Sequence, residues 1–292
     1  MNLTLTGYST ALFSTWYFIE ELGILFDAGD GATSGLLQKA GKITNVFISH
    51  ADRDHLTGLL QLNQLNARPG FPIIHYPEDC GSFPPLEAFS KQFDLHVQGT
   101  VWKPVRQNDV VQVKDAISVL AVRNEHVVSA PSVSKSLGFK VIQSRTKLKS
   151  EIAALPQERI RELMAEQGKE KLTTILETNL ITYSGDTPVD DYERWNHSEI
   201  LIHEATFLGG EQDRKINPHG NKHSSLDEVL KMVSEITVGK LILGHFSSRY
   251  TAEQIDENIR RLCREYQVRL PVYRVLPGQI HRNILSEEPV NS

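Results

Sequence analysis

The sequence predicts an α/β (α+β) chain folded as a four-layer αββα sandwich, two sheets face to face with helices outside. Three observations predict it. Strand-like apolar runs are followed by helix-compatible stretches, repeatedly and in both halves of the chain. Several of those runs end in His, Asp or Glu, which would line ligand-type side chains along one edge of the sandwich. The chain has 292 residues, 40% of them hydrophobic and 23% charged, enough to close a large core.

Each element has its own signal. Leu3–Gly7 and Trp16–Glu20 alternate or run apolar like strands. Ile24-Leu25-Phe26 reads as a strand closing in the turn Asp27-Ala28-Gly29-Asp30-Gly31, and Ala32–Ala40 fits a helix stopped by Gly41. Ile43–Ser49 is the next strand and Leu56–Asn66 the next helix. Strands follow at Ile73–Tyr76, Val101–Val105, Val110–Val113, Ile117–Val122 and Leu137–Gln143. Ser150–Gln167 is charged and amphipathic, and Pro156 either divides it or opens a helix. Leu176–Ser184, Ile200–His203 and Leu241–His245 are apolar runs with polar ends, whereas Leu226–Glu235 and Ala252–Tyr266 have helical periodicity. A single domain is expected over residues 1–285, with about 144–172 as a substrate-facing insertion and 286–292 as a frayed tail.

The formal net charge of -5 provides no global basic field for nucleic acid, although a local patch could compensate. No apolar run approaches a membrane span, and Met1-Asn2-Leu3-Thr4 lacks a basic region leading into an apolar core. The two cysteines, Cys80 and Cys263, lie far apart and read as reduced thiols of a cytoplasmic protein with no membrane partner.

The densest chemistry follows the strand Val46-Phe47-Ile48. His50, Asp52, Asp54 and His55 fall within six positions, behind a buried strand that would fix the backbone. This run resembles the signature of the metallo-β-lactamase superfamily, His-x-His-x-Asp-His followed by a Gly-Leu pair, here Gly58-Leu59, with Asp52 where the second His is usual. Further segments resemble the same superfamily in the same order: Asp27 after its strand, His126 in Glu125-His126-Val127, Asp186 in Ser184-Gly185-Asp186-Thr187, and His245 in Gly244-His245-Phe246. Ile202-His203-Glu204-Ala205-Thr206-Phe207 and Lys222-His223-Ser224-Ser225 resemble two loops of ribonuclease Z, the tRNA 3′-processing branch.

The resemblance implies a metallo-β-lactamase fold and two divalent ions, zinc foremost with manganese or iron as alternatives. It implies His50, Asp52, Asp54, His55, His126, Asp186 and His245 as ligands, with Asp186 bridging. Asp54 would orient the attacking water, Glu204 would orient His223, and His223 would protonate the leaving oxygen. Ser224, Ser247, Ser248 and Arg249 suit a phosphate. Asp27 would either brace a ligand imidazole or cap its own turn. The implied reaction is phosphodiester hydrolysis in RNA or a smaller nucleotide. A cyclic-nucleotide phosphodiesterase, hydrolysis of a thioester or lactone, and a non-catalytic member with a degenerate metal site remain alternatives, and a homodimer remains open.

Three departures accompany the resemblance. Gly7-Tyr8-Ser9-Thr10 is not a glycine-rich opening. The stretch between His126 and Asp186 lacks an obvious Gly-Pro-rich arm of the kind that ribonuclease Z uses to clamp tRNA, although Lys140, Arg145, Lys147 and Lys149 form a local basic cluster. Finally, Asp52 either binds, which would favour harder ions, or falls short, which would leave one weak subsite.

Overall fold

The structure is a computed structural model and describes residues 2–93, 99–209 and 222–292. Among these residues, two sheets form the middle of the molecule. The first has six strands in sequential order: β1 (Leu5–Thr10), β2 (Ser14–Ile19), β3 (Ile24–Phe26), β4 (Asn45–Phe47), β5 (Ile73–Pro77) and β6 (Val101–Val105). β1 to β3 pair antiparallel and β3 to β6 parallel. The second has seven, β7 (Val110–Lys114), β8 (Ile117–Arg123), β9 (Leu137–Leu148), β10 (Thr173–Tyr183), β11 (Ser198–Glu204), β12 (Val238–Gly244) and β13 (Val272–Arg274). β7 to β10 are antiparallel and β10 to β13 parallel.

Alternation along the strands builds the layers. Ile200, Ile202 and Ile242 face the first sheet and join Phe26, Phe47, Phe139 and Tyr183 in the central core. Phe26 stacks on Phe139 at 6.1 Å and on Tyr183 at 5.0 Å. Leu201, Leu241 and Leu243 face outward, against the helices Leu226–Glu235 and Ala252–Glu265. Ser225 and Thr251 start those helices with reciprocal capping boxes. On the other side, Phe18, Leu25, Val46 and Ile74 pack against Leu36, Leu59, Leu62 and Phe83 from three helices. The result is the expected αββα order.

β8, β10, β11 and β12 run in one direction, so their carboxyl ends share an edge. His126, Asp186, Glu204 and His245 leave from that edge, and Asp27 and His50 follow the ends of parallel β3 and β4.

The expected helix Ala32–Ala40 is α-helical only over Ala32–Leu36 and becomes a 3-10 turn over Leu37–Lys42. The expected helix Leu56–Asn66 is broken into Arg53–Leu56 and Leu59–Asn66. The break is imposed by the Asp27–Gly29 turn: Ala28 donates to the His55 carbonyl and accepts from Gly58. A Cβ on Gly58 would lie 2.3 Å from the Gly29 carbonyl oxygen, so a side chain is excluded there. The helix Phe83–Phe93 and strand β13 have no counterpart among the expected elements.

Two larger differences concern the insertion and the tail. β9 and β10 run on past their neighbours as a ribbon, paired from Thr173↔Leu148 inward, whereas β8 reaches only Gln143 and β11 only Asn179. Helices Ser150–Ala153, Gln157–Gln167 and Lys169–Leu172 cap the ribbon, and Pro156 starts the second of them. The chain therefore has a projecting arm, built from long strands and not from a Gly-Pro-rich loop. The tail is not frayed: Val290 donates to the Val272 carbonyl at 2.8 Å, and the Asn291 side chain bonds Val272 and Leu270. No helix among the described residues is long and apolar enough to cross a membrane. Cys80 and Cys263 are unpaired.

Candidate metal centre

The Asp27 carboxylate is fully buried, and its Oδ1 accepts the Ser49 backbone N–H at 2.7 Å. Its Oδ2 accepts the Ser49 hydroxyl at 2.8 Å, the His55 Nδ1–H at 2.7 Å and the Tyr183 hydroxyl. Asp27 itself sits at φ 52, in the left-handed region, and so aims its side chain across the loop and not along its own turn.

These bonds decide which nitrogen each imidazole presents. The Ser49 hydroxyl has given its hydrogen to Asp27, so it accepts from His50 Nδ1–H at 2.9 Å. His126 Nδ1–H donates to the Lys222 carbonyl at 2.8 Å. The Thr206 hydroxyl donates to Glu204 Oε2 and therefore accepts from His245 Nδ1–H at 2.9 Å. In His50, His55, His126 and His245 alike, Nδ1 carries the proton and Nε2 presents its lone pair.

The four Nε2 atoms meet carboxylate oxygens. Asp52 Oδ2 lies 3.6 Å from His50 Nε2 and 3.5 Å from His126 Nε2. Asp54 Oδ2 lies 3.6 Å from His55 Nε2 and 3.4 Å from His245 Nε2. Asp186 Oδ2 sits between the groups, 3.2 Å from His55, 3.3 Å from His245 and 3.7 Å from His50. His50 Nε2 and His55 Nε2 are buried and make no hydrogen bond. Lone pairs facing anionic oxygens repel unless a cation lies between them, so this donor set fits divalent metal ions and two subsites can be drawn, His50–Asp52–His126 and Asp54–His55–His245.

With protons standing in for metal ions on the Nε2 atoms, the carboxylates are held as anions. His126 and His50 keep Asp52 well below the usual carboxylate range. Burial pushes Asp54 and Asp186 up. His245 and His55 outweigh it, holding Asp54 at about 2 and Asp186 well below its ordinary value. Burial pushes His50 down, which keeps it a neutral donor.

Beside this cluster stands a second group. His223 Nδ1–H donates to Glu204 Oε1 at 3.0 Å, and the same oxygen accepts the Thr187 N–H at 2.8 Å. Burial works against charge on His223, but Glu204 overrides it and lifts His223 to about 9. Thr206, which lies in the Ile202–Phe207 loop but carries no role in the sequence reading, joins the two groups: its hydroxyl bonds Glu204 and His245 and lies 3.3 Å from His223 Nδ1. Its only sequence signal is a hydroxyl two residues beyond Glu204.

The phosphate-binding group expected from the sequence is less uniform. Ser247 is half-buried, and Ser248 and Arg249 are exposed at the rim. The Arg249 guanidinium lies over the Phe207 and Tyr250 rings at 5.5 and 4.8 Å and donates to the Tyr250 hydroxyl. Ser224 differs from the expectation. It is fully buried, and its hydroxyl donates to the Thr187 carbonyl, so it braces the His223 loop and presents no group to a substrate. A feature without a sequence signal is the β1–β2 turn, where the Leu12 N–H reaches Asp54 Oδ2 at 3.1 Å and Leu12 and Phe13 stand exposed.

Residues 23–149 match the beta-lactamase superfamily domain. Over that stretch the chain is similar to the β-lactamase superfamily, and its fold is the metallo-β-lactamase fold. Among curated relatives, Ribonuclease Z of Staphylococcus epidermidis is 24% identical over 256 residues, covering 79% of this chain and 80% of the relative. A chloroplastic tRNase Z of Arabidopsis thaliana is 27% identical over 274 residues, covering 89% of this chain and 72% of the relative. Among solved structures, the metallo-β-lactamase fold protein YhfI from Bacillus subtilis superposes with a TM-score of 0.64 at 14% identity, covering 96% of this chain and 100% of that one.

Gly185 holds Asp186 in place. It sits at φ 59, and a Cβ there would lie 2.8 Å from Ser49 Cβ. Gly185→Ala should lower metal content while leaving far-ultraviolet circular dichroism unchanged, because the strain falls on the two loops that carry Asp186 and His50.

Proposed function

We propose that this chain is a metal-dependent phosphodiester hydrolase acting on RNA in the manner of ribonuclease Z. The observation that carries the reading is the Glu204–His223 hydrogen bond of 3.0 Å beside the His/Asp cluster. Phosphoryl hydrolysis with a poor leaving group needs a proton donor opposite the attacking water. His223 is the group built for it, charged through Glu204 and held by Nδ1, so that Nε2 carries the transferable proton.

Divalent ions held by His50, Asp52, Asp54, His55, His126, Asp186 and His245 would supply an acidified water and neutralise phosphate charge. Asp54 aligns the attacking water, fixed by the Leu12 N–H on the same oxygen that faces His55 and His245. Arg249, Ser247 and Ser248 stand at the rim where non-bridging phosphate oxygens would lie. Asp27 supports the site from below through Ser49 and His55.

The arm supports RNA over a small nucleotide as the substrate. Arg145 and Lys147 are exposed at alternate positions on one face of β9, and the exposed Lys149 follows directly after it. A long RNA would reach that face and a cyclic nucleotide would not. The deciding experiment sets precursor tRNA with a 3′ trailer against 2′,3′- and 3′,5′-cyclic nucleotides, using enzyme loaded with zinc and with manganese. Turnover of cyclic nucleotides alone overturns the RNA reading. Arg145→Ala with Lys147→Ala should weaken precursor binding and flatten its salt dependence by roughly 0.7–0.9 in log–log slope for each phosphate no longer neutralised. Cleavage of bis-p-nitrophenyl phosphate should be unaffected. An unchanged salt slope would remove the arm from the binding surface.

A further inference from the structure

We infer that Asp52 makes the two metal subsites equivalent, each with two imidazoles and one terminal carboxylate around a shared Asp186, and that this narrows the preference of the centre for zinc over manganese or iron. The terminal donors are matched in distance, while the shared Asp186 Oδ2 lies 3.2 and 3.3 Å from His55 and His245 and 3.7 Å from His50. The carboxylate-to-imidazole distances are 3.6 and 3.5 Å in the His50–Asp52–His126 group and 3.6 and 3.4 Å in the Asp54–His55–His245 group. Ligand atoms take such separations when they share an ion with bonds of about 2.0–2.2 Å. Asp52 therefore reaches, which removes the possibility that the substitution leaves a crippled first subsite.

Two consequences follow from donor chemistry. First, three carboxylates would offset three of the four positive charges of two divalent ions, and each ion would see the same terminal donors. The two equivalents should then bind with similar affinity, not as a tight ion and a loose one. Second, two His and one carboxylate with remaining positions open is a donor set suited to manganese or ferrous iron. Zinc still binds more tightly than manganese in absolute terms, because affinity rises along the divalent series at any such site. The carboxylate shrinks the margin, since an oxygen anion discriminates less between these ions than an imidazole does. The Asp52 side chain is 49% exposed, and the close partners of its carboxylate are the two imidazoles.

The inference concerns the ions and not the substrate, so it stands apart from the RNA reading. The test is metal binding to metal-free protein, followed by titration calorimetry and by zinc–manganese competition with metal counted by mass spectrometry. Wild type should take up two manganese equivalents in one affinity class. Asp52→His should widen the zinc-over-manganese ratio by about tenfold or more and split the two equivalents into separate classes. Asp52→Asn, which keeps shape and an oxygen but loses the charge, should weaken one equivalent only. The exposed position means that neither change burdens the fold, and equal melting temperatures of the metal-free proteins would show it. A zinc-to-manganese ratio that is the same in wild type and Asp52→His overturns the proposal, as does uptake of a single equivalent by wild type.

Discussion

Asp186→Ala should abolish hydrolysis and lower metal content below that of any other single substitution in the site. Asp186 is 3% exposed, and one of its oxygens lies within 3.7 Å of His50, His55 and His245 Nε2. No other carboxylate among the described residues faces both subsites. Its removal would leave two divalent ions without the anion that offsets their mutual repulsion, so at most one should remain. Loss of a group that merely supports a ligand costs roughly 10–100-fold, and loss of this carboxylate should exceed that. Asp186→Asn is the sharper comparison, since it preserves volume in a buried position and removes only the charge. Metal analysis and bis-p-nitrophenyl phosphate turnover, run on both variants, provide the check. Wild-type stoichiometry and wild-type rate in Asp186→Ala would end the two-ion reading.

What is legible in the chain before its structure follows from what each signal depends on. Strands such as β6, and the helix Leu226–Glu235, are local patterns of hydrophobicity and capping, and the sequence places them within a residue. The helix expected at Leu56–Asn66 fails because its interruption is a contact with residues 28 and 29, nearly thirty positions away. The arm escapes a sequence reading for a similar reason. Ser144 to Leu148 and Thr173 to Thr178 carry mixed polar residues, because a ribbon beyond the sheet has no core to face, so the apolar signal that marks a strand fades. The tail reads as frayed because its anchors, Val290 and Asn291, bond a strand too short to stand out.

At the site, residue types are legible and their supports are not. Ligand chemistry is carried by His, Asp and Glu, which stand out at strand ends. The groups that choose the tautomers of His50, His245 and His126, namely Ser49, Thr206 and the Lys222 carbonyl, are ordinary residues or backbone, and only the fold makes them partners. Ser224 shows the converse. A serine beside His223 looks suited to phosphate, yet burial turns its hydroxyl toward Thr187.

His223→Ala should lower kcat on RNA by roughly 10²–10⁴ while metal content holds. The two halves of that expectation come from different observations. His223 is turned by Nδ1 toward Glu204 at 3.0 Å and lies 3.8 Å from Asp186 Oδ2, and the groups His50–Asp52–His126 and Asp54–His55–His245 do not use it, which is why the ions should stay. The rate falls because, among the described residues, no other imidazole outside the two subsites stands at that side of the cluster. The size of the loss should depend on the leaving group: a ribose oxygen needs a proton as the bond breaks, whereas p-nitrophenolate departs without one. The defect on bis-p-nitrophenyl phosphate should therefore be several times smaller, and an equal defect on both substrates would reject the proton-donor role. Glu204→Gln tests the cause of His223's charge. Burial alone would lower His223, and Glu204 raises it to about 9, so the donor is charged below that value and loses its proton above it. Without the carboxylate the downward pull remains, and the alkaline limb of kcat should move to lower pH. Thr206→Val offers a partial contrast, because it removes a hydroxyl that bonds Glu204 and His245 and lies 3.3 Å from His223 Nδ1, but leaves the Glu204–His223 bond of 3.0 Å in place. Its effect should fall on metal affinity through His245, with the alkaline limb where wild type has it. A shifted limb in Thr206→Val and an unshifted one in Glu204→Gln would mean that the proton on His223 is governed from the metal side and not by Glu204.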